Sequence, residues 1–162
     1  MSTIILPLLA AAPGAVPPQL TFVNARPRLA FDASTDEYVV FTFRLPDDYS
    51  SAAALKVQWS GSTSTTTSHT AVWGAEIMAL TPETDSVATD SDSYDTINTV
   101  SDDILGTTAK RPQECEITLT NNDSMAAGDY ISLRFRRDAD NGSDDLTEDA
   151  WLWALSFVYT AS

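Results

Sequence analysis

The last third of the chain carries its strongest hydrophobic pattern. In 130–137, Ile131, Leu133 and Phe135 alternate with Ser132, Arg134 and Arg136. A period of two is the mark of a strand with one wet face. In 151–159, Trp151, Trp153, Leu155, Phe157 and Tyr159 fall on one side of an extended chain, and Leu152, Ala154, Ser156 and Val158 on the other. Both sides are mostly apolar, so the pattern predicts a strand covered on both faces. The second cover would be another sheet, another subunit or the N-terminal segment.

Similar alternation recurs upstream. Val39, Phe41, Phe43 and Leu45 oppose Tyr38, Val40, Thr42 and Arg44, and Pro46-Asp47-Asp48 closes that run with turn residues. Leu55, Val57 and Trp59 oppose Lys56, Gln58 and Ser60; Cys115, Ile117 and Leu119 oppose Glu116 and Thr118. Residues 70–80 are apolar, and Gly74 with its β-branched neighbours favours a strand there. Residues 29–32 and 96–100 are weaker strand candidates, and 102–105 fits one helical turn. Residues 20–28 look irregular. The segments 61–68 and 82–95, rich in Ser, Thr and Asp, read as loops. The pattern therefore predicts an all-β protein, a jelly-roll or Greek-key β-sandwich of about eight strands with long crossing loops.

Residues 1–28 stand apart from this. Pro7, Pro13, Pro17 and Pro18 interrupt an apolar run that has no positive leader region, which argues against a signal peptide or a spanning helix. They predict an extended N-terminal arm preceding a sandwich domain over 29–162. An apolar arm needs a surface to pack on, either its own domain or a neighbouring chain.

Composition narrows the function. Nine Lys and Arg against 23 Asp and Glu leave a net charge of −14 in 162 residues, which repels nucleic-acid phosphates and anionic membranes. One cysteine, Cys115, rules out an internal disulfide, and its alternation with Ile117 and Leu119 places it as a buried structural thiol. His69 is the only histidine and has no Gly-x-Ser-x-Gly elbow with it. Neither a phosphate-binding glycine loop nor zinc spacing occurs, so no catalytic, cofactor or metal residue is assigned. The loop 138–145, with Asp138, Asp140, Asn141, Asp144 and Asp145, is the one segment with the oxygen density calcium needs, but it breaks the EF-hand pattern. Solvated turns capped by their own side chains are the competing reading. Trp59, Trp73, Trp151 and Trp153 are candidates for a sugar-stacking platform or for core. Arg134, Arg136 and Arg137 pair with nearby acids or dock an acidic surface.

Three stretches together, FDASTDEYVVFTFRLPDDY (31–49), VWGAEIMAL (72–80) and AAGDYISLRFRRDADNGSDDLTEDAWLWALSFVY (126–159), resemble small virion proteins of tailed bacteriophages. The resemblance implies a jelly-roll-like, commonly trimeric capsid decoration protein on the head surface, bound to the major capsid protein, with no enzymatic activity and no cofactor. On that expectation Ile4, Ile5, Leu6, Leu8, Leu9, Arg26 and Arg28 of the arm contact the shell or a neighbouring protomer. Leu152, Ala154 and Val158 then pack at the trimer axis. The alternative is a tail-appendage, receptor-binding or carbohydrate-binding β-sandwich module.

Overall fold

The alternating runs are strands. In the computed structural model, which describes residues 1–90 and 93–162, they join into two antiparallel sheets. The strands are β1 (Ser2–Leu6), β2 (Ala12–Pro13), β3 (Gln19–Val23), β4 (Arg26–Phe31), β5 (Glu37–Arg44), β6 (Tyr49–Gly61), β7 (Thr70–Leu80), β8 (Asn98–Asp103), β9 (Gln113–Thr118), β10 (Tyr130–Arg137) and β11 (Ala150–Ala161). A single 3₁₀ turn, Leu8–Ala10, follows β1. One sheet runs β3-β4-β11-β6-β9, with β1 added beside β11; the other runs β2-β5-β10-β7-β8. The two pack face to face as a jelly-roll sandwich, the predicted class.

Between the sheets the inward residues interlock. Trp73 stacks on Phe135 with centroids 5.3 Å apart and meets Phe31 and Trp59 edge-on at 5.3 and 5.6 Å. Phe41, Ile77, Leu133, Leu55, Val57 and Ile117 extend this core along the sandwich. Each such side chain contributes about 1.5–3 kcal/mol on burial, before the entropy of ordering the chain is subtracted.

Among the described residues eleven strands replace the expected seven or eight, and most of the difference lies near the N-terminus. Residues 20–28, expected to be irregular, form a hairpin with the short strand expected from residue 29. Its two-residue turn, Asn24-Ala25, has both φ angles positive, 48° and 62°, the handedness that lets tightly turned strands keep their twist. The sequence signal is weak because alanine replaces the usual glycine. The helical turn expected at 102–105 is instead the end of β8 and the residues after it. Of the loop expected over 82–95, residues 91 and 92 lie outside the described residues.

The segment expected to be an arm is extended, but residue 28 does not divide two bodies, since β4 spans it. β1 adds to β11 through Ser2↔Tyr159 to Leu6↔Leu155, and β2 adds to β5 in the opposite sheet. This segment is thus a strap joining both layers. Gly14 N–H donates to Tyr38 O and Tyr38 N–H donates to Val16 O. The Tyr38 ring occupies the space a side chain at residue 14 would need, within 2.4 Å of an ideal Cβ there.

An irregularity in β11 corrects the predicted facing. Its pairing with β6 slips between Leu152 and Ala154, so Trp153 is an extra residue in the ladder. A bulge of one residue reverses which parity faces inward. Ala150 and Leu152 point into the core before it, and Leu155, Phe157 and Tyr159 after it. Trp151 and Trp153 therefore do not share the core face with Leu155.

Candidate site on the outer face of the larger sheet

The bulge places two indoles together on the outside. The Trp151 and Trp153 rings meet edge-on with centroids 6.0 Å apart. The Arg28 guanidinium carbon lies 3.2 Å from the Trp151 centroid and 5.7 Å from that of Trp153, while Lys110 Nζ approaches Trp151 at 5.4 Å. Cations over indole faces are attracted by the ring quadrupole. Arg28 Nε donates to Thr21 Oγ1 on β3 at 2.8 Å, which fixes the guanidinium, and its buried Nη1 makes no hydrogen bond among the described residues.

Beside the indoles runs a polar ladder. Trp153 Nε1 donates to Ser60 Oγ at 2.9 Å. Gln58 pairs with Ala154 across the strands and donates to Glu114 Oε2 at 3.0 Å. Lys56 Nζ lies 2.7 Å from Glu116 and 3.7 Å from Glu114. On the other side, Ile5, Leu9, Pro27, Trp153 and Ala154 line an apolar cleft of about 260 Å³. The face thus combines half-buried Trp153, fixed donors and acceptors, and an apolar border.

The other candidate tryptophans are elsewhere. Trp59 and Trp73 are fully buried, and Trp59 Nε1 donates to Asp102 Oδ2 at 2.7 Å. The four indoles thus divide into a core pair, a Trp151 buried beneath Arg28 on the outer side of the sheet, and a half-buried Trp153.

The residues expected to bind a shell or a neighbouring protomer are dispersed. Leu6, Leu8 and Leu152 belong to the chain's own core, and Val158 is buried opposite Thr3 of β1. Ile4 packs partly against that core, and Ala154 lies on the outer face at the cleft. Ile5 and Leu9 are 66% and 65% exposed, and Arg26 is exposed in the β3–β4 hairpin. Arg28 holds Trp151.

The arginine cluster is internally paired. Arg136 faces Asp36 and Asp138 at 3.8 and 3.7 Å, and Arg134 lies 3.6 Å from Glu76. Arg137 is wholly buried and binds Asp144 through Nε at 2.9 Å and Nη2 at 2.7 Å. It also donates to the carbonyls of Asp32, Leu146 and Glu148.

These contacts also occupy the acidic loop. Asp144 is taken by Arg137, and Asp145 Oδ1 accepts from Thr70 N–H. Asp36, Asp138 and Asp140 bring ligand oxygens within 4.8 Å of one another. However, Asp36 Oδ1 already accepts the amides of Ala139 and Asp140, and Arg136 supplies the local positive charge.

Nucleophile chemistry is not assembled at the positions considered. His69 Nδ1 lies 3.3 Å from Ser64 Oγ, but Glu148 binds the amides of Thr63 and Ser64 rather than the imidazole. The Cys115 thiol is pushed up to about 12, first by burial and then by the charge of Asp102, so it stays protonated. No described helix is long and apolar enough to cross a membrane.

Comparison with solved structures shows the fold. The chain superposes on the CBM35 module of Cellvibrio japonicus Abf62 with a TM-score of 0.53, 11% identity, and coverage of 99% of this chain and 95% of that one. A family 35 carbohydrate-binding module from an environmental isolate gives 0.49 at 8% identity, covering 100% and 99%. A point mutant of the family 29 module CBM29-2 gives 0.48 at 9%, covering 98% and 92%. No family model matches the chain, and no curated protein matches it.

These findings overturn the expected capsid-decoration function. The solved structure that shares the fold at a TM-score of 0.53, the CBM35 module of Cellvibrio japonicus Abf62, is no virion protein. The apolar residues assigned to a shell or trimer axis are, in large part, packed inside the molecule. What made them look available was an apolar N-terminal run with no visible partner, and that partner is β11.

Proposed function

We propose that the protein is a non-catalytic carbohydrate-binding module that takes its ligand on the outer face of the β3-β4-β11-β6-β9 sheet. The observation that carries this reading is the bulge at Trp153, which turns that half-buried indole outward over a buried Trp151 and beside fixed polar groups. Sugar rings present C–H faces and a rim of hydroxyls. An indole matches the former, and paired donors and acceptors match the latter.

On this reading Trp153 stacks against a pyranose ring, with Ile5 and Pro27 bordering it. Trp151 is the support: covered by Arg28 and Lys110, it holds Trp153 edge-on. Gln58 and Glu114 offer an amide and a carboxylate to hydroxyls. An open sheet face suits the interior of a polysaccharide chain better than a single terminal sugar. The fold shared with the CBM35 module of Cellvibrio japonicus Abf62 is consistent with this use and does not identify the sugar.

Affinity electrophoresis against a panel of soluble plant and bacterial polysaccharides, followed by calorimetry on the best ligand, tests the proposal. Retardation in at least one gel is expected. Trp153→Ala should weaken binding at least tenfold with unchanged circular dichroism. A full panel without retardation, or a Trp153→Ala variant that binds like the wild type, would overturn it.

A further inference from the structure

One free edge of the larger sheet is apolar and carries no carboxylate. Among the described residues eight large hydrophobic side chains are exposed, and six of them fall in residues 1–22. Leu9, Val16, Leu20 and Phe22 are 65, 45, 44 and 60% exposed. Leu9 and Leu20 line one cleft of about 210 Å³ with Pro17, Pro18 and the core residue Leu29, so the patch continues from the core to the edge. Residues 1–31 hold Arg26 and Arg28 but none of the 23 acidic residues.

β3 ends the sheet, with β4 on one side and no strand on the other. Its backbone therefore offers N–H and C=O groups to a further strand. Three other edges are guarded against such pairing. β8 carries Asp102 and Asp103, β9 carries Glu114 and Glu116, and β2 is two residues long and ends in Pro13. β1 is uncharged too, but on its exposed side Ile5 alternates with Thr3. β3 reads Gln19-Leu20-Thr21-Phe22-Val23, without charge or proline, and its register with β4 is unbroken. Leu20 pairs with Leu29 and so stands on the inner side of the sheet, where β2 is too short to cover it or Phe22.

We propose that β3 pairs antiparallel with β3 of a second copy, giving a two-fold dimer with one sheet running through both molecules. Centring the pair on Thr21 sets Leu20 of each copy opposite Phe22 of the other, on one face. The four side chains then cover one another where neither smaller sheet reaches. Charge favours a second copy here: two chains of net charge −14 repel, and this edge lets them meet without opposing carboxylates. Arg28 is committed to Trp151 and Thr21, which leaves exposed Arg26 as a weak basis for an acidic partner. The area agrees. The exposed parts of Leu9, Val16, Leu20 and Phe22 come to roughly 450 Å² per copy, and with the β3 backbone they approach the about 600 Å² per partner at which stable interfaces begin. The dimer is therefore concentration-dependent. Such a two-fold keeps the outer faces of both larger sheets on the same side. On the sugar-binding reading, two Trp153 faces then meet one polysaccharide together, although the pairing itself does not rest on that reading.

Sedimentation equilibrium on the full chain, without sugar, tests the pairing between about 1 μM and 1 mM. The mass should rise with concentration from one chain to two. Phe22→Lys, at an exposed position, should stay at monomer mass with unchanged circular dichroism. Val87→Lys, which alters an exposed apolar residue away from the edge, should dimerise as the wild type does. Thr21→Cys should form a disulfide-linked dimer under mild oxidation, because the two-fold brings residue 21 of both copies within disulfide span, whereas the wild type with Cys115 alone should not. Monomer mass throughout, association beyond two chains, a dimer that survives Phe22→Lys, its loss in Val87→Lys, or a Thr21→Cys variant that stays uncross-linked would each overturn the proposal.

Discussion

Arg137 and Asp144 form a two-point ion pair, Nε to Oδ2 at 2.9 Å and Nη2 to Oδ1 at 2.7 Å, with neither side chain more than 1% exposed. The remaining guanidinium nitrogen reaches carbonyls at both ends of the pair of loops it joins. The arginine therefore replaces a hydrophobic plug under the 138–149 loop, and its charge is tolerated only because every side is answered. Asp144→Asn should destabilise the fold by about 3–5 kcal/mol, since it leaves a buried cation without its counter-charge. Urea denaturation of the two proteins measures this, and a change under about 1 kcal/mol would show that water relieves the charge.

Two glutamates should give pH profiles of opposite slope. Burial holds the Glu37 carboxyl above its ordinary 4.5, so the folded state binds that proton more tightly than the unfolded chain. Its contribution is present below 4.5 and is lost as pH rises through the raised value. Compared with Glu37→Gln, the wild type should lose Tm as pH increases from 4.5.

For Glu148 burial acts in the same direction, but hydrogen bonds from Thr63, Ser64 and Ser62 outweigh it, and the net shift is downward. Its contribution is present above 4.5 and lost as pH falls through the lowered value. The wild type should therefore lose its advantage over Glu148→Gln on acidification. Thermal melts from about pH 3 to 7 at constant ionic strength separate the two slopes, and parallel curves for wild type and variant would refute either assignment.

The hairpin turn offers a stabilising change. Ala25 sits at a φ of 62°, where a Cβ is unfavourable and glycine is not. Ala25→Gly should raise stability by about 0.5–1 kcal/mol despite the entropy glycine adds to the unfolded chain. A lower midpoint in chemical denaturation would mean that β3 and β4 hold the turn without regard to its residue preference.

Cys115 should be unreactive in the native protein. With its thiol pushed up to about 12, almost no thiolate exists near neutral pH. A colorimetric thiol reagent should report no fast phase until denaturant is added. Cys115 is half-buried on the edge strand β9 rather than fully enclosed as expected, and rapid native modification would show that this partial cover does not keep the thiol protonated.

The sandwich was legible because its central strands obey a period of two over enough residues to leave one reading. β5 and β10 carry the alternation seen in Phe41 and Leu133, whereas β7 was legible only as an apolar run in which Gly74 and β-branched residues favour a strand over a helix. Two things were not legible. The strand character of residues 2–6 depends on pairing with residues 155–159, a contact that no local pattern records. The outward turn of Trp151 and Trp153 depends on one unpaired residue, and a bulge leaves the composition of a strand unchanged while inverting its sides. That is why Trp151, Trp153 and Leu155 share a face in the bare alternation, and why the indole pair reads there as readily as core as it does as a platform.

The strap that joins both layers has a kinetic consequence. β1 pairs with β11, so contacts between residues 2–6 and 155–159 close a loop of more than a hundred residues. The segment made earlier must wait for the segment made much later. Long-range closures of this kind slow folding, because chain entropy is lost before the contacts are gained. On a ribosome β4 and β6 would remain unjoined, with the core residues Leu6 and Leu8 still in water, until β11 emerges between them. The sandwich is therefore completed only once residues 155–159 have left the exit tunnel, when one late strand joins three segments synthesised long before it.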